Sequence, residues 1–288
     1  MPAQVLEEPK VDANPAEVYA RDLYLAGAPA PSVTGFDGVG DAELAQYRED
    51  GLLVIRDAFT PVEVQAAMAG LLNLILGHVP EFTDIEFEGK AAARLSSLTE
   101  DERQDAVRKL MRFTAYEDRL SGMSHHPALT ALLTRLLGAP PQLFQDMALL
   151  KPPQIGREKP WHQDHAYFDY PLGTPICGVW IALDPATTEN GCMFFQRGGH
   201  KEGVIPHFNR RDWQICDSET QDKVSVAAEL SPGSLVVFDG LIPHGTPANQ
   251  SGQRRRALQF HYAPVGIPHI PTEERLAAFG SEGRNVFC

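Results

Sequence analysis

Apolar residues recur at helical spacing through the first half of the chain and in short, punctuated runs through the second. Asp41 to Asp50 reads as a short helix, and the run Leu52-Leu-Val-Ile55 behind it as a strand. Thr60-Pro-Val-Glu63 sets a hydroxyl at the helix cap, a proline at the first helical position and a glutamate three residues after the cap. That pattern opens a helix running to about Leu76. Residues 79–98 are acidic and carry no period. Glu100 to Phe113 is expected to form a second helix, and Pro127 to Leu137 a third, stopped by Gly138-Ala-Pro-Pro. Beyond Pro141 the runs shorten to Gln142–Leu150, Ile176–Leu183, Met193–Gln196, Val224–Leu230, Ser234–Phe238 and Arg256–Ala263, parted by Gly, Pro, Asn and Asp. Many short strands of this kind make a sandwich, jelly roll or barrel.

The fold class that follows is α+β with a mainly β core, its helices covering one face of a sheet. Residues 1–40 are rich in Pro, Ala, Gly and acids without a sustained period, and are expected to be a surface leader; residues 41–288 form the domain. Asn190 and Gly191 mark a turn between strands. The net charge of −13 argues against nucleic acid and anionic membranes as partners. The chain has no basic-then-apolar leader and no apolar run near the roughly 20 residues of a membrane span, so a cytoplasmic protein is expected. The four cysteines, Cys177, Cys192, Cys216 and Cys288, include no CxxC pair and are read as free thiols.

Candidate chemistry centres on Trp161-His162-Gln163-Asp164. In an extended segment successive side chains alternate faces, so His162 and Asp164 point the same way and can grip one metal ion. A distant histidine would complete two His and one carboxylate on one face of an octahedron, leaving three positions for a bidentate co-substrate and oxygen. Of the remaining histidines, His165 adjoins Asp164 and faces away, His200 sits in a Gly-Gly loop, and His125 and His126 precede a helix. His78, His207 and His269 have no supporting context. His244 sits in Asp239-Gly-Leu-Ile-Pro-His-Gly245, the segment that follows the apolar strand Gly233–Phe238, and is the candidate chosen.

In Arg254-Arg-Arg-Ala-Leu-Gln-Phe-His-Tyr262, parity puts Leu258, Phe260 and Tyr262 against apolar cover, with Arg254 and Arg256 on that side. Arg255, Ala257, Gln259 and His261 then face inward. An inward arginine needs an anion, and a dicarboxylate co-substrate offers one through a bidentate fork.

Together these segments resemble the phytanoyl-CoA dioxygenase family of 2-oxoglutarate oxygenases. The likeness rests on the HxD pair, Trp180 in Gly178-Val-Trp-Ile, Glu189-Asn-Gly-Cys-Met193 and Gly198-Gly-His-Lys201. It also rests on His244-Gly-Thr246 and on Arg255 eleven residues past His244. It reaches, more weakly, Gln145-Asp-Met-Ala-Leu-Leu-Lys151 and Asp50-Gly-Leu-Leu-Val-Ile55, and so spans most of residues 45–265. The resemblance implies a double-stranded β-helix with Fe(II) at its open end, held by His162, Asp164 and His244. It implies that Arg255 takes the far carboxylate of 2-oxoglutarate, with Thr246 and Lys151 or Gln145 assisting and Trp180 walling the pocket. Oxygen is then consumed, a small molecule is hydroxylated or otherwise oxidised, and succinate and carbon dioxide are released. Family members that halogenate have a small residue at the acidic position; Asp164 argues for hydroxylation or a related oxidation.

Two rival classes share these residues: a zinc-type metallohydrolase, and a non-catalytic metal-dependent binding or sensor protein. The substrate is expected to be anionic. Residues 151–211 hold seven Lys or Arg (Lys151, Arg157, Lys159, Arg197, Lys201, Arg210, Arg211) against six acids, within a strongly acidic chain. The stretch His207–Trp213, with Arg210 and Arg211, is a candidate lid.

Overall fold

The helix opened by Thr60 runs Pro61–Ile75 in the computed structural model, which describes residues 9–12, 19–221, 223 and 225–280. Both halves of its capping box form: Glu63 N–H donates to Thr60 Oγ1 at 3.3 Å, and Thr60 N–H donates to Glu63 Oε2 at 2.8 Å. Its buried face (Val64, Ala67, Leu71, Leu74, Ile75) lies on one side of a large mixed sheet, joined there by Leu129, Leu132 and Leu133 of the Pro127–Leu137 helix. The Asp41–Asp50 and Pro127–Leu137 helices have the limits read from sequence, each closed by a left-handed glycine, Gly51 and Gly138.

Nine strands form that sheet. In spatial order they are Lys10–Val11, Ile85–Phe87, Val107–Met111, Pro141–Lys151, Arg255–Pro264, Cys177–Ala182, Leu235–Asp239, Leu52–Arg56 and Ser32–Thr34. A five-stranded sheet faces it: Ala26–Pro29, Ser225–Ala228, Met193–Gln196, His244–Thr246 and Lys159–His162. Alternation along the large sheet serves two cores at once. Val179, Ile181, Leu235, Val237, Leu258 and Phe260 pack under the helices, whereas Trp180, Ala182, Val236, Phe238 and Ala257 pack between the sheets with Trp161, Met193 and Phe195. This is the expected double-stranded β-helix, with the Asp41–Asp50, Pro61–Ile75 and Pro127–Leu137 helices on the large sheet and the Thr272–Phe279 helix packed by Phe279 against His165 and His207. Residues 26–29 and 32–34 pair in parallel with 225–227 and 54–56, and Leu23 and Tyr24 pack in the inter-sheet core, so this part of the N-terminal stretch contributes to both sheets.

One expected element is corrected. The helix foreseen over Glu100–Phe113 stops at Gln104, and Val107–Met111 is a strand. The Thr99–Glu102 capping box starts a helix as its sequence dictates, but the next residues pair with Ala148, Leu149 and Met147 on one side and with Ile85–Phe87 on the other. Tertiary pairing overrides local propensity there. The cysteine expectation is also corrected: Cys177 and Cys192 are free and buried, but Cys216 is disulfide-bonded. Among the described residues no helix is long and apolar enough to cross a membrane.

Close packing between strands supports the site from behind. A Cβ on Gly178 would meet the Phe238 ring at 2.3 Å, and Phe238 lies 4.9 Å, centroid to centroid, from the His244 ring. Gly178→Ala is therefore expected to destabilise the protein by about 1–3 kcal/mol, the usual cost of overpacking a filled core. Urea denaturation checks it, and an unchanged midpoint would show that Phe238 moves aside freely.

Candidate functional site

His162 ends the Lys159–His162 strand, and His244 begins the neighbouring strand of the small sheet. The two are cross-strand partners, with ring centroids 4.2 Å apart. Gln163 keeps an extended backbone (φ −111°, ψ 129°), so Asp164 returns to the face of His162. One ligand atom from each of His162, Asp164 and His244 lies within 4.8 Å of the others, and all three residues are buried. Asp164 Oδ1 stands 3.3 Å from His162 Nε2 and 3.6 Å from His244 Nε2.

Backbone carbonyls orient both rings. His162 Nδ1 is 2.8 Å from Pro160 O, and His244 Nδ1 is 3.0 Å from Ile242 O, so Nδ1 carries the proton and the Nε2 lone pair is offered inward. Burial pushes His244 down to about 3 against the pull of Asp164, keeping it neutral. Burial would raise the Asp164 carboxyl, but His244, His261 and hydrogen bonds hold it well below the usual carboxylate range. Two imidazoles presenting Nε2 and a carboxylate on one face are a donor set that suits iron(II) with open positions.

Gln163, between the ligands, points the other way and is fully buried. It accepts from Ile205 N–H and donates to Gly203 O and Leu241 O, while its own N–H donates to His207 Nε2. These contacts brace the HxD segment against the loop before His244. Sequence reading did not single out Gln163, because its partners lie some 40 to 80 residues away.

A cavity of about 480 Å³ opens over the cluster, and Gln145, Lys151, Trp180, Thr246 and Arg255 all line it. The Arg255 guanidinium lies 5.4 Å from the Trp180 ring centroid. Its Nη1 donates to Leu149 O at 3.0 Å, and its Nε has no hydrogen-bond partner. Burial draws Arg255 down to about 10. Its neighbours differ. Arg256 pairs in a fork with Asp184 at 2.7 and 2.8 Å, and Arg254 with Asp105 at 2.6 and 3.0 Å. Both flanking arginines are ion-paired rather than simply solvated. Lys151 Nζ donates to Arg157 O at 2.5 Å; burial, then Arg255, holds its pKa well below the ordinary value. Lys109 and Met147 also line the cavity. Lys109 falls in the segment expected to be helical, and so is not among the residues the sequence points to; Met147 lies within the Gln145–Lys151 run.

The histidines set aside have structural partners. His165 Nε2 is 3.3 Å from Tyr170 O, and His200 Nε2 is 3.1 Å from Arg48 O. The His207–Trp213 stretch folds as a hairpin, His207–Asn209 against Trp213–Ile215. Tyr167 donates to Trp213 O at 2.6 Å, and Asp212 pairs with Lys159 at 2.9 Å and lines the cavity. Arg211 does not face the cavity. It is buried in forks with Glu158 and Asp217, at 2.8 and 2.7 Å.

Comparison with known proteins places this geometry. The family model described as phytanoyl-CoA dioxygenase (PhyH) matches residues 47–257. The chain is 27% identical over 263 residues to phytanoyl-CoA dioxygenase domain-containing protein 1 of Danio rerio, covering 78% of this chain and 90% of that one. Its fold resembles the carbocyclase SnoK from nogalamycin biosynthesis (TM-score 0.65, 20% identity, 88% and 98% of the two chains). It also resembles the epimerase SnoN, solved with Fe3+, alpha ketoglutarate and nogalamycin RO (TM-score 0.63, 20% identity, 86% and 93%).

Proposed function

The chain belongs to the phytanoyl-CoA dioxygenase family and is an iron- and 2-oxoglutarate-dependent dioxygenase; from that premise we propose which of its residues hold each component. His162, Asp164 and His244 hold Fe(II). Arg255 takes the far carboxylate of 2-oxoglutarate, with Thr246, Lys151 and Gln145 beside it and Trp180 as the wall. The observation that carries the assignment is the Arg255 guanidinium, buried in the cavity with a free Nε and no carboxylate of its own, between two arginines that each have one. A buried cation of this kind calls for an anionic partner, and a planar dicarboxylate end matches its fork.

Iron and 2-oxoglutarate, once bound, supply the oxidation of a substrate C–H bond with O2 consumed and succinate and carbon dioxide released. The chain supplies position and exclusion. The carbonyls of Pro160 and Ile242 fix the imidazole tautomers, Gln163 locks the segment between the ligands, and Trp180 limits the motion of Arg255. Anaerobic titration with 2-oxoglutarate tests the reading. Tight binding is expected only when Fe(II) is present, and equal affinity with and without metal would refute it.

The substrate we propose is a small anionic molecule carrying a carboxylate or phosphate. With Asp164 given to the metal and Arg255 and Lys151 to the co-substrate, the cavity is still lined by Arg108, Lys109, Arg157 and Lys159 against Asp12, Glu86 and Asp212. These cations are ion-paired, Arg108 with Asp12 and Glu88, Lys109 with Glu86, Arg157 with Asp12 and Lys159 with Asp212, so an anion would have to exchange with a carboxylate already in place. Lys159 lines the cavity, where Asp212 holds it at 2.9 Å, and is the residue to test; Arg211 does not face the cavity and is held by Glu158 and Asp217. An anionic substrate is expected to turn over faster than its neutral amide, and Lys159→Met to narrow that gap. A preference for the amide would contradict the proposal.

A further inference from the structure

We propose that His261, seconded by Gln259, is a positioning residue that restricts Asp164 to binding the metal through one oxygen, and so keeps open the position that 2-oxoglutarate needs. The inference rests on the reading of His162, Asp164 and His244 as the metal ligands.

The two oxygens of Asp164 have different surroundings. Oδ1 faces both ligand histidines, at 3.3 and 3.6 Å from their Nε2 atoms. Oδ2 is turned toward the Arg255–Pro264 strand, 2.7 Å from His261 Nε2 and 3.3 Å from Gln259 Nε2. A carboxylate oxygen only accepts, so His261 donates to it through Nε2–H, and Gln259 Nε2 lies 3.2 Å from the same nitrogen. His261 Nδ1 is buried with no hydrogen-bond partner. The ring is fully buried, its centroid 4.8 Å from that of Phe168 and 6.1 Å from that of Phe144.

A residue serving only to fill this apolar space would be better without an unpaired nitrogen, since a buried polar atom left without a partner is destabilising. The short hydrogen bond to Oδ2 therefore accounts for a histidine here. Its consequence follows from counting positions. Three protein atoms on one face of an octahedron leave three sites, two for the chelating end of 2-oxoglutarate and one for O2. A carboxylate gripping with both oxygens would take one of those three. The donors on Oδ2 oppose that swing, because Asp164 would have to abandon both.

The test compares His261→Leu, which removes the donor, with His261→Gln, whose amide N–H extends about as far as Nε2. Fe(II) affinity is measured on the metal-free full-length protein, and 2-oxoglutarate affinity anaerobically on the Fe(II)-loaded protein by the charge-transfer absorption of the complex. In the leucine variant, 2-oxoglutarate affinity is expected to fall at least roughly tenfold more than Fe(II) affinity, the lower end of the usual effect of removing a ligand's hydrogen-bond partner. The glutamine variant is expected to recover most of that loss. Equal falls in both affinities, no fall in either, or no recovery with glutamine would each overturn the proposal. If the leucine variant does not fold, His261→Asn, whose amide is too short to reach Oδ2, takes its place under the same criteria. Wild-type protein that binds no Fe(II) would instead overturn the ligand assignment on which the proposal rests.

Discussion

Replacing His162, Asp164 or His244 by alanine is expected to reduce turnover by far more than the roughly 10- to 100-fold that follows from disturbing an outer partner of a metal ligand. On the proposed assignment each of the three supplies one of three protein atoms to the ion, and their ligand atoms already lie within 4.8 Å of one another. The fold should persist. His162 and His244 sit at strand ends in the smaller sheet, and neither belongs to the apolar clusters that hold the sheets and helices together. Circular dichroism together with Fe(II) binding separates the two effects. A variant that keeps turnover within about threefold of wild type would remove that residue from the ligand set.

The second large effect is expected at Arg255. Arg255→Gln takes away the cation that faces a desolvated carboxylate, a loss on the order of 2–5 kcal/mol. At about 1.4 kcal/mol per tenfold, 2-oxoglutarate affinity should fall roughly 30- to 5,000-fold. Arg254→Gln and Arg256→Gln should change it little, because their guanidinium groups are engaged with Asp105 and Asp184. Apparent affinities for the three variants decide the matter. Similar small effects at all three positions would mean that the buried guanidinium does not take the co-substrate.

The convergence of His162 and Asp164 on one face was legible because it depends on local geometry. An i, i+2 pair on an extended segment shares a face whatever surrounds it, and the parity of Arg255 followed from the apolar partners Leu258, Phe260 and Tyr262 on its own strand. What escaped depends on contacts far apart in sequence. Gln163 is held by Gly203 and Leu241, and Asp164 by His261 on a strand nearly a hundred residues away. Nothing in the HxD segment announces either. Arg211 was misplaced for the same reason: a charge count cannot show that Glu158 and Asp217 enclose it. The Glu100–Phe113 helix failed where a genuine capping signal was followed by residues whose conformation the neighbouring strands decide.

The rivals have become weaker on particular residues. A zinc hydrolase needs a free base beside its water. Asp212, a carboxylate lining the same cavity, is tied to Lys159 at 2.9 Å, and such an enzyme has no use for the unpaired Arg255. A binding or sensor protein would need the metal cluster without a co-substrate site.

The most direct measurement is the release of labelled carbon dioxide from 2-oxoglutarate carrying the label in its C1 carboxylate, with Fe(II), ascorbate and oxygen present, against a panel of small anionic metabolites. Release is expected to require Fe(II), to match succinate formation mole for mole, to rise when a panel member is a substrate, and to vanish in His162→Ala. No Fe(II)-dependent release across the panel, with hydrolysis appearing instead when zinc is supplied, would contradict the account.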